Sequence, residues 1–318
     1  MKKLINSVRL EGYLYNHSLT QGVTGSQSKH PGTTYIRGKI DIATNDECDN
    51  IVSVYYTYVT PTTAKGKPNA TYTTLLNIIE GRYKTIMGSS KDEAFKLRVD
   101  TSIGVNDYYV ERDGQWELVS GKRNVDGFIH QVNGVFSDDK ERNKFEVDML
   151  ITSCTRREGD PERDIPEKVV VKGAVFNGYR GTLIPVELSA LADDAMDYFE
   201  SLDASSRNPI FTKVRGKQIS TTIVRRQEEE SAFGANYVRE VPVSRRDFVI
   251  NWANSEPYVW DDESTMTVEE LKKMMSDREM YLATKKQDAI NYKESKNNTI
   301  PTNIVKSTTS VASGEYDF

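Results

Sequence analysis

Tyr35, Arg37 and Lys39 fall at alternate positions of a segment that also carries Ile36, Ile40 and Ile42. An extended chain with this alternation turns its isoleucines to one side and its aromatic and cationic side chains to the other. The polar side then holds a ring that can stack on a nucleobase and two cations that can neutralise phosphates. Arg9, Tyr13 and Tyr15 form a comparable set on an earlier segment. Tyr56 and Tyr58 share a face with Val54 and so suit either a binding surface or a core. Lys65 and Lys67 flank Gly66 in a loop, where they can clamp phosphates. Lys213, Arg215 and Lys217 alternate between Phe211 and Ile219. Each residue also has a plainer reading. A tyrosine can pack across strands, and a strand lysine or arginine can guard a solvated edge. The joint pattern is harder to explain that way.

Little here suggests catalysis. No phosphate-binding glycine loop, nucleophile elbow or zinc-protease motif occurs. Asp193-Asp194 and Asp261-Asp262 are adjacent acids of the kind found at helix starts and turns. His130, within Gly-Phe-Ile-His-Gln-Val, reads as a strand residue and not as a general base. Two cysteines, Cys48 and Cys154, and three scattered histidines give no metal-ligand spacing and no disulfide framework. No cofactor or metal is implied, and the expectation is a non-enzymatic protein in a reducing cytoplasm, without a membrane segment.

The net charge of −5 argues against a polyanion partner until its distribution is considered. Residues 256–318 carry 8 basic and 12 acidic side chains. By contrast, residues 1–40 hold six basic side chains against Glu11 alone, and residues 205–227 hold six with no acid. Local patches of this kind govern nucleic-acid binding more than the total does.

These side chains need a β-rich scaffold. Strands are expected over 4–15, 34–44 and 51–60, then near 95–105, 107–120, 127–136 and 144–156. A short helix is expected near 72–80. The charged, proline-containing stretch 156–168 reads as a linker. Beyond it, Val169 to Asn177 echoes Val8 to Asn16, with Gly12 and Gly173 in matching places. A mid-strand glycine marks a bend or bulge, so the echo suggests a duplicated, bent opening strand. A hairpin to residue 189, a helix over 191–202, a basic strand over 209–226 and a last strand over 244–252 complete the second half. Thr267 and Glu270 form a capping box for a helix reaching 291, with Val268, Leu271, Met275 and Leu282 on its apolar face. The expected division is 1–157, 168–256, a C-terminal helix 257–291 and a flexible tail 292–318.

Several phrases together resemble the single-stranded DNA-binding proteins. Val8 to Asn16 resembles their opening strand, and Tyr35 to Thr44 (YIRGKIDIAT) resembles their second. The helix ending at Leu202, followed by Phe211 to Gln218, resembles their helix and following strand. The tip Glu315, Tyr316, Asp317 and Phe318 is similar to the acidic, phenylalanine-closed tip of that family. The resemblance covers parts of 1–80 and 168–226 and the last four residues. The chain departs from the family in being nearly twice the usual size and in having a less acidic tip.

The resemblance implies a mainly β protein of two tandem oligonucleotide/oligosaccharide-binding (OB) barrels with short helices. It implies sequence-independent binding of single-stranded DNA in replication or recombination, in a phage or mobile-element version of the family. The tip would recruit replication or recombination proteins, because an acid-plus-aromatic peptide docks in basic, apolar pockets. A plain frayed terminus is the other reading of the tip. In the second half Val170, Ala174 and Phe176 replace Arg9, Tyr13 and Tyr15, so that face is expected to pack against the first half or another subunit. The alternative to DNA binding is a β-rich phage structural or assembly protein that self-associates as a homo-oligomer.

Overall fold

The computed structural model describes residues 4–26, 28–160, 165–177, 182–229, 233, 237–261 and 266–298. The tip residues Glu315, Tyr316, Asp317 and Phe318 lie outside the described residues.

The chain opens with β1 (Asn6–His17), β2 (Thr20–Val23), β3 (Thr34–Ala43) and β4 (Ile51–Val59). Helix α1 (Ala70–Ile79) follows, then β5 (Lys96–Arg112) and β6 (Gln115–Gln131). β1 pairs antiparallel with β3 and with β5, and β3 pairs antiparallel with β4. β5 lies beside β6, and β4 pairs parallel with β6 at Val54↔Asn124 and Tyr55↔Val125. These contacts close a five-stranded ring in the order β1-β3-β4-β6-β5, the OB arrangement. Leu14, Ile40, Ile42, Val54, Leu97 and Val99 fill its interior. Burying a side chain of that size contributes about 1.5–3 kcal/mol. α1 presents Leu75 and Ile78 to this core, and Asn69 caps it by accepting from the Thr71 amide at 3.2 Å.

A second ring repeats the scheme with β7 (Asn143–Arg157), β8 (Lys168–Asn177), β9 (Thr182–Ala190), α2 (Asp193–Ser201), β10 (Ile210–Glu229) and β11 (Tyr237–Ala253). β7 pairs with β8 and β10, β8 with β9, β10 with β11, and β9 runs parallel to β11. Met196 and Phe199 of α2 are buried in its core. β1 and β7 also pair antiparallel with each other, from Asn6↔Val147 to Leu10↔Asn143. Each opening strand thus shares one edge between its own ring and the equivalent strand of the other.

The pairing bears on the expected boundary at 157 and 168. Residue 157 ends β7, which pairs with both β8 and β10. The echo between Val8–Asn16 and Val169–Asn177 therefore joins the first strand of one ring to the second strand of the other. The two glycines nonetheless act alike. A Cβ on Gly12 would sit 1.9 Å from the Ala43 carbonyl oxygen, and one on Gly173 would sit 1.9 Å from that of Leu150. Each permits close approach of the first and second strands of its ring, from opposite members of the pair.

The capping box forms as its spacing requires. The Glu270 amide donates to Thr267 Oγ1 at 3.1 Å and the Thr267 amide to Glu270 Oε2 at 3.0 Å. Helix α3 spans Val268–Asn298. Of its expected apolar face only Leu271 is buried, while Val268 and Met275 are exposed. Leu271 joins Met266, Tyr258 and Trp260 over Phe176, Leu183 and Phe211 on the outside of the second ring. That face is apolar, as its residues suggest, and its cover comes from the chain's own Tyr258, Trp260, Met266, Leu271 and Met274.

The β5–β6 hairpin tip, residues 107–119, groups with residues 279–298 of α3 as a second compact unit. Asp113 and Gly114 turn the hairpin with φ of 51° and 77°. Within this unit Lys293 pairs with Glu111. Among the described residues, no helix is long and apolar enough to cross a membrane.

Candidate nucleic-acid interface

The outer surface of β3 and β4 floors a groove of about 640 Å³. Tyr35 and Arg37 come from β3, Tyr55 and Tyr58 from β4, and Arg123 from β6. The β2 hairpin, through Val23, Thr24, Gly25 and Ser28, forms one wall. Tyr35 and Tyr58 stand 5.1 Å apart between ring centroids at 36°. The Arg123 guanidinium lies 5.2 Å from the centre of the Tyr55 ring. Three tyrosines and two guanidinium groups therefore share one opening, within the volume range of about 300–1,000 Å³ common for ligand sites.

A bulge in β4 sets which tyrosines reach the groove. Ile36 pairs with Val59 and Gly38 with Tyr56, so three steps on β4 match two on β3. Val52, Val54 and Tyr56 point inward, Thr57 and Tyr58 both lie outward, and Val59 returns to the core. The face expected to hold Tyr56 and Tyr58 together is split. Tyr56 is 3% exposed, its hydroxyl has no hydrogen-bond partner, and burial pushes its pKa upward. It belongs to the wall's interior, and Tyr55 takes its place outside. Tyr55 and Arg123 were not legible as a pair, because the parallel contact that joins them links residues far apart in sequence.

The remaining sequence candidates are distributed elsewhere. Lys39 lies on β3 but gives its ammonium to Asp41 at 2.8 Å. Arg9 is on the β1 exterior, bonded to Asp100 at 3.0 Å. Tyr13 carries Lys91 over its ring at 5.1 Å, and Tyr15 is half-buried. None of Arg9, Tyr13 and Tyr15 lines the groove. Lys65 and Lys67 are exposed on a tight turn held by Thr63, whose amide donates to the Lys67 carbonyl and whose carbonyl accepts from Gly66. On the second ring, Lys213 and Arg215 both pair with Glu146 at 3.1 Å. Burial pushes the Glu146 pKa up, but hydrogen bonds from Lys213 and Arg215 outweigh it and the net shift is downward. Arg215 also lies 4.4 Å over the Trp252 ring, and Lys217 is exposed.

Fold and groove together define a double-ring OB protein with an aromatic, cationic face on its first ring. The chain belongs to the YorF family, whose profile matches residues 5–288. Among solved structures it is similar to the wild-type single-stranded DNA binding protein from Thermus aquaticus, with 12% identity and a TM-score of 0.44 over 81% of this chain and 94% of that one. A deletion mutant of the Thermus aquaticus protein gives 13% identity and a TM-score of 0.44 over 82% and 98%. No curated protein matches the chain.

Proposed function

We propose that this protein binds single-stranded DNA without reading its sequence and acts in replication or recombination. The observation that carries this reading is the convergence of Tyr35, Tyr55, Tyr58, Arg37 and Arg123 on one groove. Tyrosine faces accept any base, and guanidinium groups accept the backbone, so such a surface is tolerant of sequence. A stacked base requires an unpaired strand, which disfavours duplex DNA. Lys65, Lys67 and Lys217 are available to extend the cationic path, whereas Lys39, Lys213 and Arg215 first have to leave acidic partners.

The repeating unit in this proposal starts at β7, so that residues 6–131 bind and residues 143–253 act mainly as a support. The support role follows from the apolar cover over Phe176, Leu183 and Phe211. Recruitment of a replication or recombination partner by Glu315, Tyr316, Asp317 and Phe318 belongs to the same proposal. It rests on the pairing of two acids with two aromatic rings. Removing these four residues is expected to abolish partner capture while leaving DNA affinity equal or higher.

Fluorescence-anisotropy titrations with oligo-dT, duplex DNA and RNA at two salt concentrations test the reading. Preference for oligo-dT over duplex, weakened by salt, supports it. Equal binding to all three, or none, contradicts it. Self-association in place of binding, with Tyr35 and Arg37 protected in the oligomer, would favour an assembly protein.

A further inference from the structure

The groove does not end at Arg123. Tyr55 and Arg123 also line a smaller cleft of about 130 Å³ where the two rings meet. Lys122 of β6 and Arg246 and Phe248 of β11 complete its walls. Lys122 Nζ donates to the Glu187 carbonyl at 2.6 Å and lies 4.2 Å over the Phe248 ring. The Nε of Arg123 is buried without an acceptor. The acid at the cleft, Asp247, is already held by Lys168 at 2.6 Å and by the Ser189 hydroxyl. Three cationic side chains thus line one cleft, the acid that lines it is shared with Lys168 and Ser189, and one guanidinium nitrogen lacks an acceptor.

The volume is below the roughly 300–1,000 Å³ of sites that enclose whole small molecules. It suits a single group on a chain that is also held next door. We propose that this inter-ring cleft is a phosphate subsite, in which Lys122, Arg123 and Arg246 take a backbone phosphodiester of the strand whose bases stack in the adjoining groove. This rests on the single-strand reading above and extends it, because it routes the strand from the first ring to the seam with the second. Burial lowers the pKa of Lys122 to about 8, although Asp247 and Glu187 oppose the shift. A phosphate would add to the counter-charge that Asp247 and Glu187 give this ammonium and offset its desolvation.

Two variants, Arg246→Ala and Lys122→Met, are titrated with oligo-dT of about 6 and about 16 nucleotides, near the two ends of the roughly 4–16 nucleotides that an OB fold covers. Arg246 is exposed, so its removal is expected to leave folding intact, which circular dichroism checks. For the longer oligonucleotide each variant is expected to lose roughly three- to tenfold in affinity at physiological salt. Its log–log salt slope is expected to shallow by about 0.7 for one lost contact. The shorter oligonucleotide, accommodated in the groove alone, is expected to bind both variants as it binds the wild type. Replacing chloride by inorganic phosphate at fixed ionic strength is expected to leave the longer complex unchanged.

Unchanged affinity and slope of the longer oligonucleotide in both variants would overturn the cleft assignment while leaving the groove intact. Displacement by inorganic phosphate would overturn the strand assignment in favour of a free oxyanion. Failure of the wild type to bind either length would instead overturn the single-strand reading itself.

Discussion

Asn124 of β6 and Gln218 of β10 exchange two side-chain hydrogen bonds, at 2.9 and 3.0 Å, across the seam of the two rings. Both residues are buried. Asn143 closes the network, donating to the Gln218 carbonyl at 2.6 Å and accepting from its amide at 3.1 Å. Gln218→Ala leaves the buried Asn124 Oδ1 without its donor, at a cost of about 1–3 kcal/mol for an unsatisfied group, while Asn124 Nδ2 keeps its bond to the Ser53 carbonyl at 3.0 Å. A double-mutant cycle with Asn124→Ala, read by denaturant unfolding, is expected to give a coupling of about 0.5–3 kcal/mol. Additive effects would mean that the seam is held by other contacts.

Tyr35→Ala and Tyr58→Ala are each expected to weaken single-strand binding by about 1–3 kcal/mol, the worth of one stacked base. Their rings contact each other, so the double variant should fall short of the sum of the singles. Titration of singles and double with oligo-dT, alongside circular dichroism to check folding, makes the comparison. Unchanged affinity in folded variants would reduce both tyrosines to packing residues.

Tyr56→Phe runs the other way. Its hydroxyl is buried and unpartnered, so removing it relieves a desolvation cost of about 1–3 kcal/mol. The variant is expected to melt at the same or a higher temperature and to bind DNA as the wild type does. A lower melting temperature or weaker binding would show that the hydroxyl has a role in the groove.

The contrast between Tyr56 and Tyr58 marks where the sequence ceased to be sufficient. The apolar alternation of Ile36, Ile40 and Ile42 placed β3 and the outward Tyr35 and Arg37 correctly, since a strand buried on one face has a strict period of two. Thr267 and Glu270 announced the start of α3 for an equally local reason. A bulge adds one residue and reverses parity beyond it, and nothing in Val52 to Val59 signals that event. The parallel closure of β4 on β6 is non-local, so Tyr55 and Arg123 could not be paired in advance. Nor could a charge run reveal that Glu146, 67 positions before Lys213 and 69 before Arg215, holds both cations.

The Glu146 bridge has a pH signature. Its folded pKa lies below the ordinary glutamate value, so its contribution to stability is present above that value and is lost as pH falls through the folded pKa. Solvent screens the cluster, which limits the effect to about 1 kcal/mol or less. Glu146→Gln is therefore expected to unfold slightly earlier than the wild type at pH 7, with the gap closing in acid. A gap that persists well below pH 4 would assign the loss to packing.

The double variant Arg37→Ala with Arg123→Ala tests the central claim most directly, through the salt dependence of oligo-dT binding measured by anisotropy. Two lost phosphate contacts should shallow the log–log slope by about 1.4, at about 0.7 each for single strands. Lys39→Ala, whose ammonium is already paired with Asp41, should change the slope far less. The account is contradicted if the folded double variant keeps the wild-type slope and affinity, for then the groove between β3, β4 and β6 is not where the strand lies.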